Sequence, residues 1–133
     1  SFGYSYGDFQ AHNSLWEMVE RTQDSAIARM ALVPRTMEAR GLDAVPMIRD
    51  RFKQIKDARA VEILDIILRD EIGHVFIGNH WFNFLCSKAT LSPILVYRDL
   101  ARKYRAPKLR GPFNLEARKQ AGFTVEELSL LGV

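Results

Sequence analysis

Residues 64–78 read LDIILRDEIGHVFIG, a stretch that predicts the centre of one long helix. At about 100° per residue, a single helix face collects positions 64, 67, 71, 74, 78, 81 and 85. Glu71 and His74 interrupt the apolar and small residues of this face. A polar group that is buried without a partner costs about 1–3 kcal/mol. Both side chains therefore need partners, and a metal ion is one partner that satisfies both.

The composition is that of an ordinary soluble domain. The chain has 133 residues, of which 47% are hydrophobic and 26% are charged; this length suits one domain. A single cysteine, Cys86, excludes an internal disulfide and suits a reducing cytosol, so we expect a cytoplasmic protein. No apolar run approaches the ~18 residues of a membrane span. Residues 1–7 lack the charged and apolar regions of a signal peptide.

Local signals predict helices throughout and no strand. We expect a loop over residues 1–13, bundle helices over 14–88 and a basic helical extension over 89–133. A capping box at Ser14 opens a helix that reaches about Arg40. Pro34 lies inside this helix and either kinks it or separates two abutting helices. Glu38 follows one turn later, on the inward side.

The remaining helix boundaries follow from caps and breakers. Gly41 predicts the end of the first helix, and Pro46 predicts the start of a short one. The long helix is expected from about Arg59 to Lys88. Three helices follow in the extension, and their start signals are Ser92-Pro93, Asn114 and the capping box Thr124-Val125-Glu126-Glu127.

Glu38, Glu71 and His74 form the candidate metal site. A Glu-x-x-His motif alone is weak, because two residue types recur at this spacing by chance. Di-iron and di-manganese bundles, however, use one Glu from each of two helices and a Glu-x-x-His from each of the other two. This chain contains half of that set, and it contains no second Glu-x-x-His.

Several longer strings carry a resemblance to a known family. They are YGDFQAH (6–12), ARMALVPR (28–35), EARGLD (38–43), DEIGHV (70–75) with Gly78 and Trp81-Phe82, RGPFN (110–114) and AGF (121–123). In these strings the chain resembles the C-terminal half of the domain-of-unknown-function 455 family of ferritin-like proteins. Gln10 departs from the family pattern, which has proline there. The resemblance implies an all-α, ferritin-like four-helix bundle.

The resemblance also implies roles for the site residues. Glu38 and Glu71 would be carboxylate ligands, with Glu71 bridging two metals, and His74 would be a terminal nitrogen ligand. Asp70 would hydrogen-bond a ligating histidine of the opposite half and raise its basicity. The alternative for Asp70 is a solvated partner of Arg69 or of nearby lysines. Iron is the expected metal, and manganese is the alternative.

Two long helices cannot close a four-helix bundle. Members of the family look longer, since a first half supplies two more helices with a Glu and a Glu-x-x-His. We therefore expect that the bundle is completed either by a missing N-terminal half or by a second copy in a homodimer about a two-fold axis.

The implied function is a di-iron carboxylate protein that acts as an oxygen-dependent oxidase or hydroxylase on a small-molecule substrate. Non-enzymatic iron handling or a helical interaction role is the alternative, and a transfer-RNA hydroxylase is the second. The basic segment 98–119 holds eight Lys or Arg against two acids. The first interpretation of this segment is a solvated tail with contacts to carboxylates, and the second is a site for an anionic substrate. Nucleic-acid binding comes third, since no binding motif appears.

Overall fold

A computed structural model describes residues 10–131 of the chain, with side chains from Asn13 onward. Within this range the chain is helical and contains no strand, so the predicted all-α class is confirmed. The first part of the predicted N-terminal loop, residues 1–9, lies outside the described residues. The helices are α1 (Gln10–Arg21), α2 (Ala26–Leu32), a π-helix (Val33–Glu38), α3 (Arg40–Gln54), α4 (Ala58–Lys88), α5 (Pro93–Lys103), α6 (Leu115–Gln120) and α7 (Val125–Ser129).

Helices α3 and α4 form an antiparallel hairpin that makes the most extensive helix pairing. The turn between them ends at Asp57, whose carboxylate accepts from the Ala60 N–H at 3.0 Å and caps α4. Arg49 on α3 donates to Asp65 on α4 at 2.6 Å. The predicted extent of the long helix, 59–88, is confirmed to within one residue.

The predicted first helix is wrong at both ends and in its continuity. Helix α1 begins at Gln10, four residues before the predicted cap at Ser14, and it ends at Arg21. Helix α2 then starts afresh, because the Ser25 side chain accepts from the Ala28 N–H at 3.1 Å. A local cap at residue 25 thus divides what the hydrophobic pattern alone presents as one helix.

Pro34 neither ends the helix nor simply kinks it, because α2 continues into the π-helix. The Ala39 N–H donates to the Pro34 carbonyl at 3.1 Å, five residues back. The Thr36 hydroxyl donates to the Ala31 carbonyl at 2.8 Å and so satisfies a carbonyl beside the disturbance. A proline removes one backbone donor, and a π-bulge absorbs that loss within an unbroken helical path.

The predictions that Gly41 ends a helix and that Pro46 begins one are also wrong. Helix α3 starts at Arg40 and runs through both residues. A Cβ at Gly41 would lie 3.6 Å from Glu71 Cγ, so Gly41 serves the contact between α3 and α4. Packing along this pairing outweighs the ~3 kcal/mol that an interior proline costs an isolated helix.

Gly78 sets the distance between α4 and the π-helix. A Cβ at this position would lie 2.4 Å from Cγ and 2.5 Å from Cβ of Pro34. Only glycine therefore allows this approach without movement of the backbone. The contact holds the segment that ends at Glu38 against the middle of α4.

The buried face of α4 differs from the predicted face. Its buried residues are Val75, Gly78, Asn79, Phe82 and Cys86. The face that was expected to be buried, which contains Glu71, His74 and Trp81, shares Gly78 with this one, and its other members are half-buried to exposed. Of the aromatic residues on α4, Phe82 enters the core, whereas Phe76, Trp81 and Phe84 are about half exposed.

The C-terminal helices cover α3 and α4, and their predicted caps are confirmed. The Asn114 side chain accepts from the Ala117 N–H at 3.2 Å. Thr124 and Glu127 form the reciprocal capping box of α7. Phe123, Ala117 and Ala121 pack with Leu42 and Val75 in one of two buried apolar clusters. No helix of the described range is long and apolar enough to cross a bilayer.

Candidate metal centre

Glu71 is the central residue of the candidate site. It lies in the middle of α4, is half-buried, and packs beside Gly41 of α3. Its Oε1 atom is buried and has no hydrogen-bond partner among the described residues. A buried carboxylate oxygen without a donor is rare in folded proteins and needs a physical explanation.

Glu38 and His74 act electrostatically on Glu71. Burial raises the pKa of the Glu71 carboxyl, the nearby Glu38 carboxylate raises this pKa further, and His74 lowers it. Glu38 is the last residue of the π-helix, and His74 follows Glu71 by one turn of α4. The fold therefore places Glu38 and His74 near enough to Glu71 to act on its charge.

These residues do not form a complete metal site. Among the side chains of residues 13–131, no three His, Cys, Asp or Glu are placed so that they could hold an ion together. His74 and Asp70 are exposed, and Asp70 makes no ion pair with any described residue. Asp70 and His74 thus face outward, and no element among the described residues covers these two side chains.

An apolar seam runs along the exposed side of α4 and contains His74 and Asp70. We define the seam as Ile63, Ile67, Asp70, His74, Ile77, Trp81 and Phe84, which follow one another at alternate spacings of four and three residues. Its apolar members are 46–56% exposed. This heptad spacing is the one by which helices pack side by side in bundles and coiled coils. The seam therefore has the pattern of a helix–helix interface, with the two polar residues at its centre.

Two buried arginines, Arg35 and Arg118, form hydrogen bonds and ion pairs with residues far away in the sequence, which no local pattern predicts. Arg35 Nε donates to Asn79 Oδ1 at 2.7 Å, and Asn79 Nδ2 donates to the Ala121 carbonyl at 2.8 Å. Arg35 also pairs with Glu127 of α7. Burial lowers the pKa of Arg35 to about 10. These contacts fix the C-terminal helices onto α4 and the π-helix.

The second link confirms part of the expectation for the basic segment. Arg118 donates to both carboxylate oxygens of Asp43, at 3.0 and 2.7 Å, and Asp43 also accepts from the Asn114 N–H at 2.8 Å. Arg118 is therefore a structural contact rather than a free charge. Of the strings quoted above, ARMALVPR, EARGLD and RGPFN contain Arg35, Asp43 and Asn114 respectively, and none contains Arg118.

The comparisons with known proteins confirm the family to which the quoted strings point. The chain matches the family described as "Protein of unknown function (DUF455)" over residues 1–129. It is 54% identical over 128 residues to an uncharacterized protein of Haemophilus influenzae, a match that covers 96% of this chain and 44% of that protein. The chain thus spans less than half the length of this relative. No solved structure matches. The chain belongs to the DUF455 family of proteins of unknown function.

Proposed function

We propose that this chain carries half of a di-metal carboxylate site, whose other half comes from two further helices that pack on the seam of α4. The buried, unpartnered Oε1 of Glu71 carries this proposal. A metal ion would satisfy this oxygen. The raised pKa of Glu71 means that the charged carboxylate is disfavoured at this position, and a bound cation would favour it. Carboxylate and imidazole donors are those that iron and manganese accept in helical bundles.

Each residue has a proposed role. Glu38 and Glu71 would hold the metals by their carboxylates, and His74 would bind through a neutral ring nitrogen. Asp70, exposed one residue before Glu71, would orient a histidine of the opposite half by a hydrogen bond. When bound, a pair of iron ions would supply the redox chemistry for an oxygen-dependent oxidation or hydroxylation of a small molecule.

We propose that the covering helices belong to the remaining length of the longer proteins of this family. The H. influenzae relative has more than half of its length outside the matched region, which is room for two more helices. The heptad spacing of the seam supports a helical partner, and Asp70 and His74 at its centre support one that carries complementary polar groups. Cys86, which is a free and buried thiol, is compatible with a cytoplasmic location.

The first experiment measures bound transition metal in this chain and in a longer form that carries the N-terminal half. We expect about two metal ions per closed bundle. Glu71→Gln and His74→Ala should each weaken binding by more than the ~10–100-fold loss typical of an outer partner. Glu62→Gln and His80→Ala, exposed residues of the same helix, are matched controls and should bind normally.

The possible outcomes distinguish the proposed function from its alternatives. An absence of transition metal from both forms would refute the proposal. Metal bound by a dimer of the 133-residue chain would assign the other half to a second copy. With ferrous ion loaded, oxygen consumption that depends on an added reductant indicates an oxidase, and growth of ferric mineral indicates iron storage. RNA binding that falls steeply with salt would instead favour the transfer-RNA hydroxylase.

A further inference from the structure

A cleft between α5 and the C-terminal helices lies outside the candidate metal centre. Its volume is about 420 Å³, and none of Glu38, Glu71 or His74 lines it. Pockets that hold small molecules are commonly ~300–1,000 Å³ and mostly apolar, with a few polar groups that orient the ligand. The cleft fits this description in size and in its lining.

The walls of the cleft are largely apolar. Helix α5 presents one face to it, on which Ile94, Tyr97 and Ala101 recur at helical spacing. Leucines of α7 and the residues after it form the facing wall, and Leu130 is 66% exposed there. An apolar body placed between these walls would remove this surface from water, which is favourable.

The charged residues of the cleft are three arginines and one glutamate, namely Arg35, Arg98, Arg118 and Glu127. Arg35 and Arg118 are buried and already paired, with Glu127 and Asp43 respectively. Arg35 is also held between aromatic rings, since its guanidinium lies 4.6 Å from the ring centre of Tyr97 and 4.8 Å from that of Phe82. The two buried arginines therefore have their partners.

Arg98 differs from the two buried arginines. It is exposed at the edge of the cleft, one residue after Tyr97, and it forms no ion pair with any residue in the described range. A guanidinium holds carboxylate or phosphate through two parallel hydrogen bonds. Arg98 thus places one cation, without an ion-pair partner among the described residues, beside a mainly apolar cleft whose other arginines are already paired.

We propose that this cleft binds an amphipathic anion, with the apolar body between α5 and α7 and a carboxylate or phosphate head on Arg98. The buried arginines shape the cleft, and because Glu127 and Asp43 balance their charges, Arg98 supplies the net positive charge. Glu127 holds α7 as one wall, because its carboxylate accepts from Thr124 at 3.1 Å and pairs with Arg35.

The test is calorimetric titration of the whole chain with decanoate and decyl phosphate, each below its critical micelle concentration, and with decanol below its solubility limit. We expect saturable binding of one or both anions and at least about tenfold weaker binding of the alcohol. A preference between decanoate and decyl phosphate identifies the head group. Equal binding of all three compounds, or of none, would overturn the proposal.

Matched variants on α5 locate the site. Arg98→Gln should weaken anion binding by about tenfold, and Arg102→Gln, which removes an exposed arginine that does not line the cleft, should not. Ala101→Trp should block the cleft, whereas Leu95→Trp on an exposed position should leave binding intact.

The same variants contain the refutation. Equal weakening by Arg98→Gln and Arg102→Gln would mean general charge attraction. Binding that survives Ala101→Trp would place the ligand elsewhere, for example on the seam of α4. Circular dichroism checks that Ala101→Trp still folds. If Ala101→Trp does not fold, the comparison of Arg98→Gln with Arg102→Gln decides whether the anion binds in the cleft.

Discussion

Replacing Gly78 by alanine tests the contact that holds the π-helix against α4. A Cβ at Gly78 would meet the Pro34 ring at 2.4 and 2.5 Å, about 1 Å inside normal contact. The proline ring cannot rotate away, so the backbone of one helix must move. Gly73 on the same helix is the matched control, since a Cβ there would meet nothing within 4 Å.

The two substitutions are expected to change the free energy of unfolding in opposite directions. Gly73→Ala should raise the free energy of unfolding by about 0.8–1 kcal/mol, the difference in helix propensity between glycine and alanine. Gly78→Ala gains the same propensity, but overpacking costs about 1–3 kcal/mol, and the stiff contact favours the upper end. We therefore expect Gly78→Ala to be less stable than Gly73→Ala by about 3 kcal/mol.

Urea unfolding followed by far-ultraviolet circular dichroism measures both variants under the same conditions. Equal slopes against urea would show that the comparison concerns stability alone. Equal stability of the two variants, or a more stable Gly78→Ala, would refute the reasoning. The backbone movement that Gly78→Ala forces would separate Glu38 from Glu71. Gly78→Ala should therefore also weaken the proposed metal binding in the longer protein, whereas Gly73→Ala should not.

Three further predictions concern the buried ion pair, the seam and the cysteine. Asp43→Asn should lower the free energy of unfolding by about 3–5 kcal/mol, because it leaves Arg118 buried without a counter-charge. Asp65→Asn, which breaks the exposed pair with Arg49, should lower it far less, because water already screens that pair. Similar losses in urea unfolding of the two variants would contradict this. Ile77→Lys should change stability by no more than about 0.5 kcal/mol, since Ile77 is 56% exposed, but should abolish association with the N-terminal half in a pull-down; retained association would exclude the seam as the interface. Burial raises the pKa of the Cys86 thiol, so iodoacetamide should alkylate the native protein more slowly than the unfolded chain; equal rates would show that Cys86 is accessible.

Features that depend on a few neighbouring residues could be predicted from the sequence. The extent of α4, the Asn114 cap and the Thr124 capping box were predicted in this way. Each rests on hydrogen bonds or hydrophobic periodicity within about one or two helical turns. The Glu-x-x-His motif is equally local, since one helix determines its geometry.

Helix boundaries near Pro34, Gly41 and Pro46 could not be predicted, because distant contacts decide them. Each residue is a helix breaker by propensity, yet α2, the π-helix and α3 continue through them. Pro34 packs on Gly78, and Gly41 packs on Glu71. Propensity describes an isolated helix, and the packing of α4 changes the balance.

The sequence alone determined the all-helical class, and it predicts Glu38, Glu71 and His74 as metal ligands. The tertiary structure decided which contacts these residues and the buried arginines make. Among the described residues, the fold supplies no hydrogen-bond donor for Glu71 Oε1 and no cover for the seam. It joins Arg35 to Asn79 and Arg118 to Asp43 across 44 and 75 residues of sequence. Such pairs obey no spacing rule, because the fold and not the chain brings their atoms together.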